Sequence, residues 1–160
     1  MLRTDALSVA SLLAPERVRV GLPAESREDV IEAVVAMLDG APAVRDLARV
    51  REAVFAREAV MSTGVGKGLA LPHARTNAVA DTVAAFAVTA GPVAYGALDG
   101  QPVRLVFLLV GPEDERSTHV RLLSRISRLM NRDAFRARLL QATDADAVLA
   151  AFREGEEQIG

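Results

Sequence analysis

His73, one of two histidines in the chain of 160 residues, follows a glycine-rich stretch that could bind an anion. Gly64, Gly66 and Gly68 alternate within the run from Ser62 to Arg75. Each glycine can adopt a positive φ or let another group approach the backbone, because it has no Cβ. A turn of this kind presents several amide N–H groups around a small concave space. The spacing therefore predicts an anion site next to His73.

The common nucleotide-binding motifs are not present in this stretch. Lys67 is followed by Gly68, where a Walker loop has Ser or Thr, and Leu69 stands where the dinucleotide pattern needs its third glycine. The alternative to an anion site is an ordinary surface loop followed by a chance histidine.

An arginine is predicted to lie near the same site, at the end of a helix. The helix is expected from Val44 to Glu58, with Leu47, Val50 and Val54 as its apolar stripe. Continuing the stripe by three residues leads to Arg57, and a guanidinium at the edge of a core normally needs an anionic partner. The alternative is that the helix frays and this side chain reaches solvent by snorkelling.

The second histidine is predicted on the buried face of another helix. His119 lies three and four residues before Leu122 and Leu123, which begin an apolar stripe, and Ser117 or Thr118 is expected to cap the helix. The first turn of a helix attracts anions and disfavours an imidazolium ion. A histidine placed in this way is often only a core or capping residue, and that interpretation stays open.

Together, Arg57, His73 and His119 supply one nucleophilic imidazole, one anion clamp and one hydrogen-bonding or proton-transferring group. A neutral imidazole can accept a phosphoryl group while cationic and amide donors hold the phosphoryl oxygens. A metal-dependent hydrolase is disfavoured, because no carboxylate falls at metal-ligand spacing around the two histidines. We expect no metal ion and no cofactor.

The composition argues against several classes of protein, among them nucleic-acid-binding and disulfide-bonded proteins. The formal net charge is -2, which makes nucleic acid an unexpected partner, and the chain has no cysteine for a disulfide or a thiolate nucleophile. Residues 1–14 are expected to form a short amphipathic helix rather than a secretory signal, and the apolar run Val103–Val110 is too short to span a bilayer. A cytoplasmic location is therefore expected.

Helical and strand-like segments alternate along the chain, and Val103–Val110 is typical of a strand buried on both faces. We predict a single α/β domain over residues 1–160, with its core at about 5–153 and a mixed central β-sheet flanked by helices on both faces. Since alanine and valine dominate the apolar residues, the core is expected to be built from small and β-branched side chains. The other predicted features are strands at Arg17–Val20, Leu69–Leu71 and Thr82–Ala90, turns at Gly91 and Pro92, helix caps at Ser26 and Thr143, and a polar tail after Phe152.

The run from Arg57 to Ala74 closely resembles the signature of the type 2 enzyme IIA domains (fructose/mannitol/nitrogen class) of the bacterial phosphoenolpyruvate-dependent phosphotransferase system. The resemblance continues through Leu98–Val103 and through His119–Leu123, and so covers most of the chain. One departure is Lys67, at a position that is commonly Asn or His. Its amino group could contact phosphate or point to solvent.

The resemblance implies that the protein is a phosphocarrier. His73 would accept a phosphoryl group on Nε2 from a phosphorylated histidine carrier protein of the HPr or NPr type and pass it to a cysteine of an enzyme IIB. By the same match, Arg57 and His119 are the supporting arginine and second histidine. Thr63 and the three glycines of the turn, Gly64, Gly66 and Gly68, would bind the phosphate.

Two functions share this chemistry. In the first, the carrier serves a sugar permease, of fructose or mannitol type, and meets the membrane only through that permease. In the second, the protein is a nitrogen-type regulator whose phosphorylation state controls its binding to target proteins.

Overall fold

A mixed six-stranded sheet lies at the centre of residues 8–159, the part of the chain that the computed structural model describes. Two 3₁₀ turns, at Ala10–Leu12 and Pro15–Arg17, precede the sheet. The strands are β1 Val18–Leu22, β2 Gly64–Gly66, β3 Leu69–Ala70, β4 His73–Arg75, β5 Val83–Val93 and β6 Val103–Gly111. The helices are α1 Arg27–Ala36, α2 Leu47–Val60, α3 Arg116–Met130, α4 Asp133–Gln141 and α5 Ala145–Ile159.

Strand β6 is the centre of the sheet, as its apolar sequence predicts. It pairs with β5 in antiparallel orientation on one side, and with β3 and then β4 in parallel orientation on the other. β1 is parallel to β5, and β2 is antiparallel to β3. In this register His73 lies opposite Leu109, near the carboxyl end of β6.

Helices cover both faces of the sheet, which confirms the predicted architecture. Alternate residues of β6 enter two separate clusters: Phe107 packs with residues of α3, α4 and α5, whereas Val106 and Leu108 pack with residues of α1 and α2. This alternation is the period-2 pattern of a strand buried on both faces.

The core differs between the two faces. The cluster beneath α1 and α2 is rich in alanine and valine, as composition predicts. The cluster beneath α3 to α5 instead contains four phenylalanines, and the ring of Phe152 lies 5.2 Å from those of Phe86 and Phe135 and 5.8 Å from that of Phe107. The expectation of a core of small side chains is therefore wrong for this face, because four of the five phenylalanines of the chain are gathered there.

The first residues of α1 and α2 are set by the side chains that cap these helices. Ser26 caps α1 as predicted, since its hydroxyl accepts from the Asp29 N–H at 3.1 Å. Helix α2 begins later than expected, because Asp46 accepts from the Arg49 N–H at 3.2 Å and so sets the start at Leu47.

Three other predicted boundaries are wrong. Helix α3 begins at Arg116, so neither predicted cap precedes it; Ser117 and Thr118 lie within its first turn. The last helix is capped by Asp144 in place of Thr143, because the Asp144 carboxylate accepts from the Ala147 N–H at 2.8 Å. Strand β5 continues through Gly91 and Pro92 to Val93, which pairs with Val103.

The predicted polar tail after Phe152 is part of α5, and one of its acidic residues is buried. Glu156 accepts from the Val9 and Ala10 N–H groups at 2.7 and 2.8 Å, and from the Ser8 hydroxyl at 3.0 Å. It also pairs with Arg125 at 2.7 Å. These four donors compensate its buried charge. The predicted helix over residues 1–14 lies partly outside the described residues, and its described part contains only the 3₁₀ turn Ala10–Leu12.

Glu156 is expected to make stability depend on pH. Burial opposes ionisation, but the Arg125 guanidinium, the two amides and the Ser8 hydroxyl together hold the pKa of its carboxyl below the ordinary value. Its stabilising contribution is therefore present above the unfolded-state pKa of about 4.3 and is lost as pH falls through the lower folded-state value.

Glu156→Gln should lower the free energy of unfolding at neutral pH by about 2–3 kcal/mol, measured by urea denaturation, with a smaller loss at about pH 3. Glu157→Gln, a change at an exposed neighbour, is the matched control. An equal loss at both pH values would contradict the assigned role.

Within residues 8–159, no helix is both long enough and apolar enough to cross a membrane.

Candidate functional site

A surface cavity of about 360 Å³ brings Arg57, His73 and His119 together. Arg57 comes from the last turn of α2, His73 from the first residue of β4, and His119 from the first turn of α3. The structure thus unites three side chains that are widely separated in the sequence. The other lining residues are Ala53, Ala74, Arg75, Arg116, Val120 and Leu123.

A backbone contact fixes which nitrogen of His73 can react. The Nδ1 atom lies 2.8 Å from the Leu71 carbonyl oxygen. A carbonyl oxygen can only accept a hydrogen bond, so Nδ1 carries the proton and donates it. In the neutral ring the lone pair is then on Nε2, so this is the nitrogen that is free to act as a nucleophile.

The His73 ring is held neutral. Burial lowers its pKa, and the positive charge of Arg57 lowers it further, while the Leu71 carbonyl and the Glu58 carboxylate act in the opposite direction. A lowered pKa keeps the Nε2 lone pair available at neutral pH.

His119 lies beside His73, with ring centroids 5.7 Å apart and ring planes inclined by 49°. Burial lowers the pKa of His119 to about 4, helped by competition with the His73 ring for a proton and by the positive charge of Arg75, so this ring is also neutral at neutral pH. Its Nδ1 atom is buried without a hydrogen-bond partner among the described residues. A Cβ at Gly111 would lie only 3.2 Å from this atom, so the glycine leaves room for the ring.

Arg57 keeps an uncompensated positive charge at the cavity. Its Nη1 donates to the Met61 carbonyl oxygen at 2.9 Å, which orients the guanidinium without neutralising it. Within residues 8–159 it forms no ion pair with a carboxylate. The charge is therefore available to an anion that enters the cavity.

Thr63 lies away from the cavity lining, in a buried network. Its N–H and hydroxyl donate to the two carboxylate oxygens of Glu58 at 2.9 and 2.5 Å, and its Oγ1 is 3.1 Å from the Tyr95 hydroxyl. These bonds tie the segment after α2 back onto the helix that carries Arg57. Phosphate binding by Thr63 stays a prediction.

The three glycines also lie outside the cavity lining. At each position the local backbone explains why the residue is a glycine. A Cβ at Gly64 would lie 2.8 Å from the Ala97 Cα. Gly66, the last residue of β2, and Gly68, just before β3, have φ values of 101° and 78°. Close packing and turn geometry therefore account for these residues, and their phosphate-binding role stays a prediction.

Lys67, at the tip of this turn, lies in a different cavity from His73. Its Nζ donates to the Asn131 side-chain oxygen just after α3. The Lys67 amino group is therefore hydrogen-bonded to Asn131 and lies neither in the His73 cavity nor free in solvent.

Sequence reasoning missed two arginines of the cavity, Arg75 and Arg116. Both could have been found from periodicity. Arg75 lies two residues after His73 on β4, and Arg116 lies three residues before His119 on α3, so each shares a face with a histidine.

Comparisons with known proteins identify the family of this chain. Residues 11–155 match the model of the family described as phosphoenolpyruvate-dependent sugar phosphotransferase system, EIIA 2. The chain is 36% identical over 151 residues to the fructose-specific EIIABC component of Bacillus subtilis, covering 94% of this chain but only 24% of that longer protein. It is 33% identical over 142 residues to the nitrogen regulatory protein of Pseudomonas aeruginosa, covering 89% of this chain and 92% of that protein.

Solved structures show the same fold. The nitrogen regulatory protein IIA-Ntr of Neisseria meningitidis superposes with a TM-score of 0.84 at 30% identity, over 90% of this chain and 98% of that one. The mannitol IIA of Escherichia coli, solved in complex with phosphorylated mannitol IIB, has a TM-score of 0.77 at 21% identity, over 89% and 97% of the two chains. The protein belongs to the type 2 enzyme IIA family, a component of the phosphoenolpyruvate-dependent sugar phosphotransferase system.

Proposed function

We propose that this protein is a cytoplasmic phosphocarrier that accepts a phosphoryl group on His73 Nε2. The donor is a phosphorylated histidine carrier protein of the HPr or NPr type, and the acceptor is a cysteine of an enzyme IIB. The observation that supports this most strongly is the 2.8 Å contact between His73 Nδ1 and the Leu71 carbonyl. It leaves Nε2 as the nucleophile of a neutral ring at a cavity that Arg57 also lines.

The transfer of the phosphoryl group to His73 is balanced in bonds and electrons without a metal ion or a cofactor. The Nε2 lone pair of His73 forms the new bond to phosphorus while the nitrogen–phosphorus bond of the donor breaks, and its electron pair returns to the donor imidazole. The proton stays on His73 Nδ1 throughout, where it remains hydrogen-bonded to the Leu71 carbonyl oxygen. Arg57 opposes the negative charge of the phosphoryl oxygens during transfer.

We propose sugar uptake of the fructose or mannitol type as the use of this chemistry, with contact to the membrane only through a permease. Similarity to the fructose-specific protein of B. subtilis supports it. A regulatory function is the second candidate, favoured by the similarity to the nitrogen regulatory proteins of P. aeruginosa and N. meningitidis. In that case phosphorylation of His73 would control binding to a target protein.

Phosphoryl transfer in vitro tests this proposal. The protein is incubated with phosphoenolpyruvate, enzyme I and either an HPr-type or an NPr-type carrier, and loading is followed by intact mass. We expect one acid-labile phosphoryl group. Passage of that group to a fructose-type or mannitol-type IIB supports the sugar function, whereas loading without passage to either IIB favours the regulatory function. No loading by either carrier would overturn the proposal.

His119→Ala is expected to slow onward transfer more than loading. The neutral ring of His119 lies 5.7 Å from that of His73 and can hydrogen-bond to the phosphoryl group as it leaves. Loss of one such contact should reduce the onward rate by roughly 10- to 100-fold, measured by rapid-quench transfer to IIB.

His119→Asn, which keeps a hydrogen-bond donor, is the matched variant and should retain part of the onward rate. Equal losses of loading and onward transfer in His119→Ala would contradict this role.

A further inference from the structure

The His73 cavity carries more positive charge than one phosphoryl-binding arginine supplies. Arg57, Arg75 and Arg116 line it from α2, β4 and α3, and no carboxylate side chain of the described residues is among its lining residues. Both histidines are held neutral and add no charge of their own. The excess positive charge therefore comes from guanidinium groups.

None of these three arginines is paired with a carboxylate within residues 8–159, whereas six other arginines of that range are. Arg75 donates through Nη1 to the Glu113 carbonyl oxygen at 2.7 Å, a contact that orients the side chain and leaves its charge uncompensated. The carboxylates of the acidic loop Glu113–Glu115 form no ion pair with these arginines within residues 8–159, and the loop lines a different cavity together with Arg45.

The arginines are distributed between the two histidines. Arg57 is the arginine whose charge lowers the pKa of His73, and Arg75 is the one whose charge lowers that of His119. Arg116 lies one helical turn before His119 on α3. The cavity therefore has one cationic region near His73 and a second near His119.

We propose that Arg75 and Arg116, next to His119, form a second anion-binding subsite that takes phosphoryl oxygens as the group enters and leaves His73. The inference rests on the proposed phosphocarrier function. A phosphoryl group on His73 is held by Arg57, and during transfer its oxygens move toward the partner protein at the cavity mouth. Arg75 and Arg116 are both exposed, so they can reach an anion at that mouth. Guanidinium groups suit this task because they bind phosphoryl oxygens with directed, charge-assisted hydrogen bonds.

Titration with inorganic phosphate tests the subsite without a donor protein. Binding is followed by NMR signals of the His73 and His119 rings in the wild type, Arg75→Gln, Arg116→Gln and the double variant. Arg121→Gln, at an exposed position of α3 outside the cavity lining, is the matched control. Thermal unfolding checks that each variant is folded.

Each single change at the subsite should weaken phosphate binding by roughly tenfold or more, and Arg121→Gln should leave it unchanged. Phosphate that perturbs neither ring in the wild type, or that binds the double variant as tightly as the wild type, would overturn the subsite. Donor loading of the wild type separates this outcome from failure of the proposed function. If the wild type is loaded by the donor but the variants bind phosphate as tightly as the wild type, the subsite alone is rejected. If the variants bind phosphate more weakly but the wild type is not loaded, the carrier function alone is rejected.

Discussion

His73→Ala is expected to abolish phosphoryl loading while leaving the protein folded. The change removes Nε2, the proposed nucleophile, and neither Arg57 nor the neighbouring backbone can form a phosphoryl bond in its place. His73 is half-buried, and its ring donates a hydrogen bond from Nδ1 to the Leu71 carbonyl. Loss of the ring should therefore cost no more than about 1 kcal/mol of unfolding free energy. Intact mass after incubation with the donor system measures loading, and urea denaturation measures stability.

The other histidine of the chain provides an internal check on this result. A phosphoryl group that still appears in His73→Ala at the wild-type rate would mean that His119 or another residue is the acceptor. Loss of loading together with a large loss of stability would mean that the variant tests folding and not chemistry, and His73→Gln would then replace it.

Phe152→Ala is expected to have the largest effect on stability. The ring is fully buried and makes edge-on contacts with Phe86, Phe107 and Phe135 at centroid distances of 5.2, 5.8 and 5.2 Å. Its removal leaves a cavity between α5 and the sheet and should lower the free energy of unfolding by about 3–5 kcal/mol. The melting temperature should fall by roughly 10 °C.

Leu140→Ala is the control for this change, because Leu140 is 40% exposed on α4. It should cost less than about 1 kcal/mol. A loss in Phe152→Ala no larger than that of the control would contradict the aromatic core described here.

The parts of the fold that follow from hydrophobic patterning could be predicted from the sequence. The run Val103–Val110 indicated a central strand, and the apolar stripe after His119 indicated a helix that buries this histidine at 5% exposure. Both patterns depend only on neighbours in sequence. Helix starts were less predictable, because adjacent polar residues such as Thr143 and Asp144 compete for the cap and only the final geometry selects one.

The candidate site, too, could be predicted from the sequence only in part. The three main residues could be named from spacing and from the family resemblance, but the proton position on His73 depends on where the chain places the Leu71 carbonyl, which periodicity does not reveal. The glycines illustrate the opposite case. They suggested an anion loop, yet Gly64 is needed because the Ala97 backbone passes within contact distance.

The most direct test of the central claim is to identify the phosphorylated nitrogen. The protein, labelled with ¹⁵N in its histidine side chains, is loaded by the donor system and examined by two-dimensional ¹H–¹⁵N NMR of the rings. Phosphorus on Nε2 of His73, with the proton retained on Nδ1, is the predicted result. Phosphorus on Nδ1, or on either nitrogen of His119, would contradict the role assigned to the Leu71 carbonyl and with it the proposed mechanism.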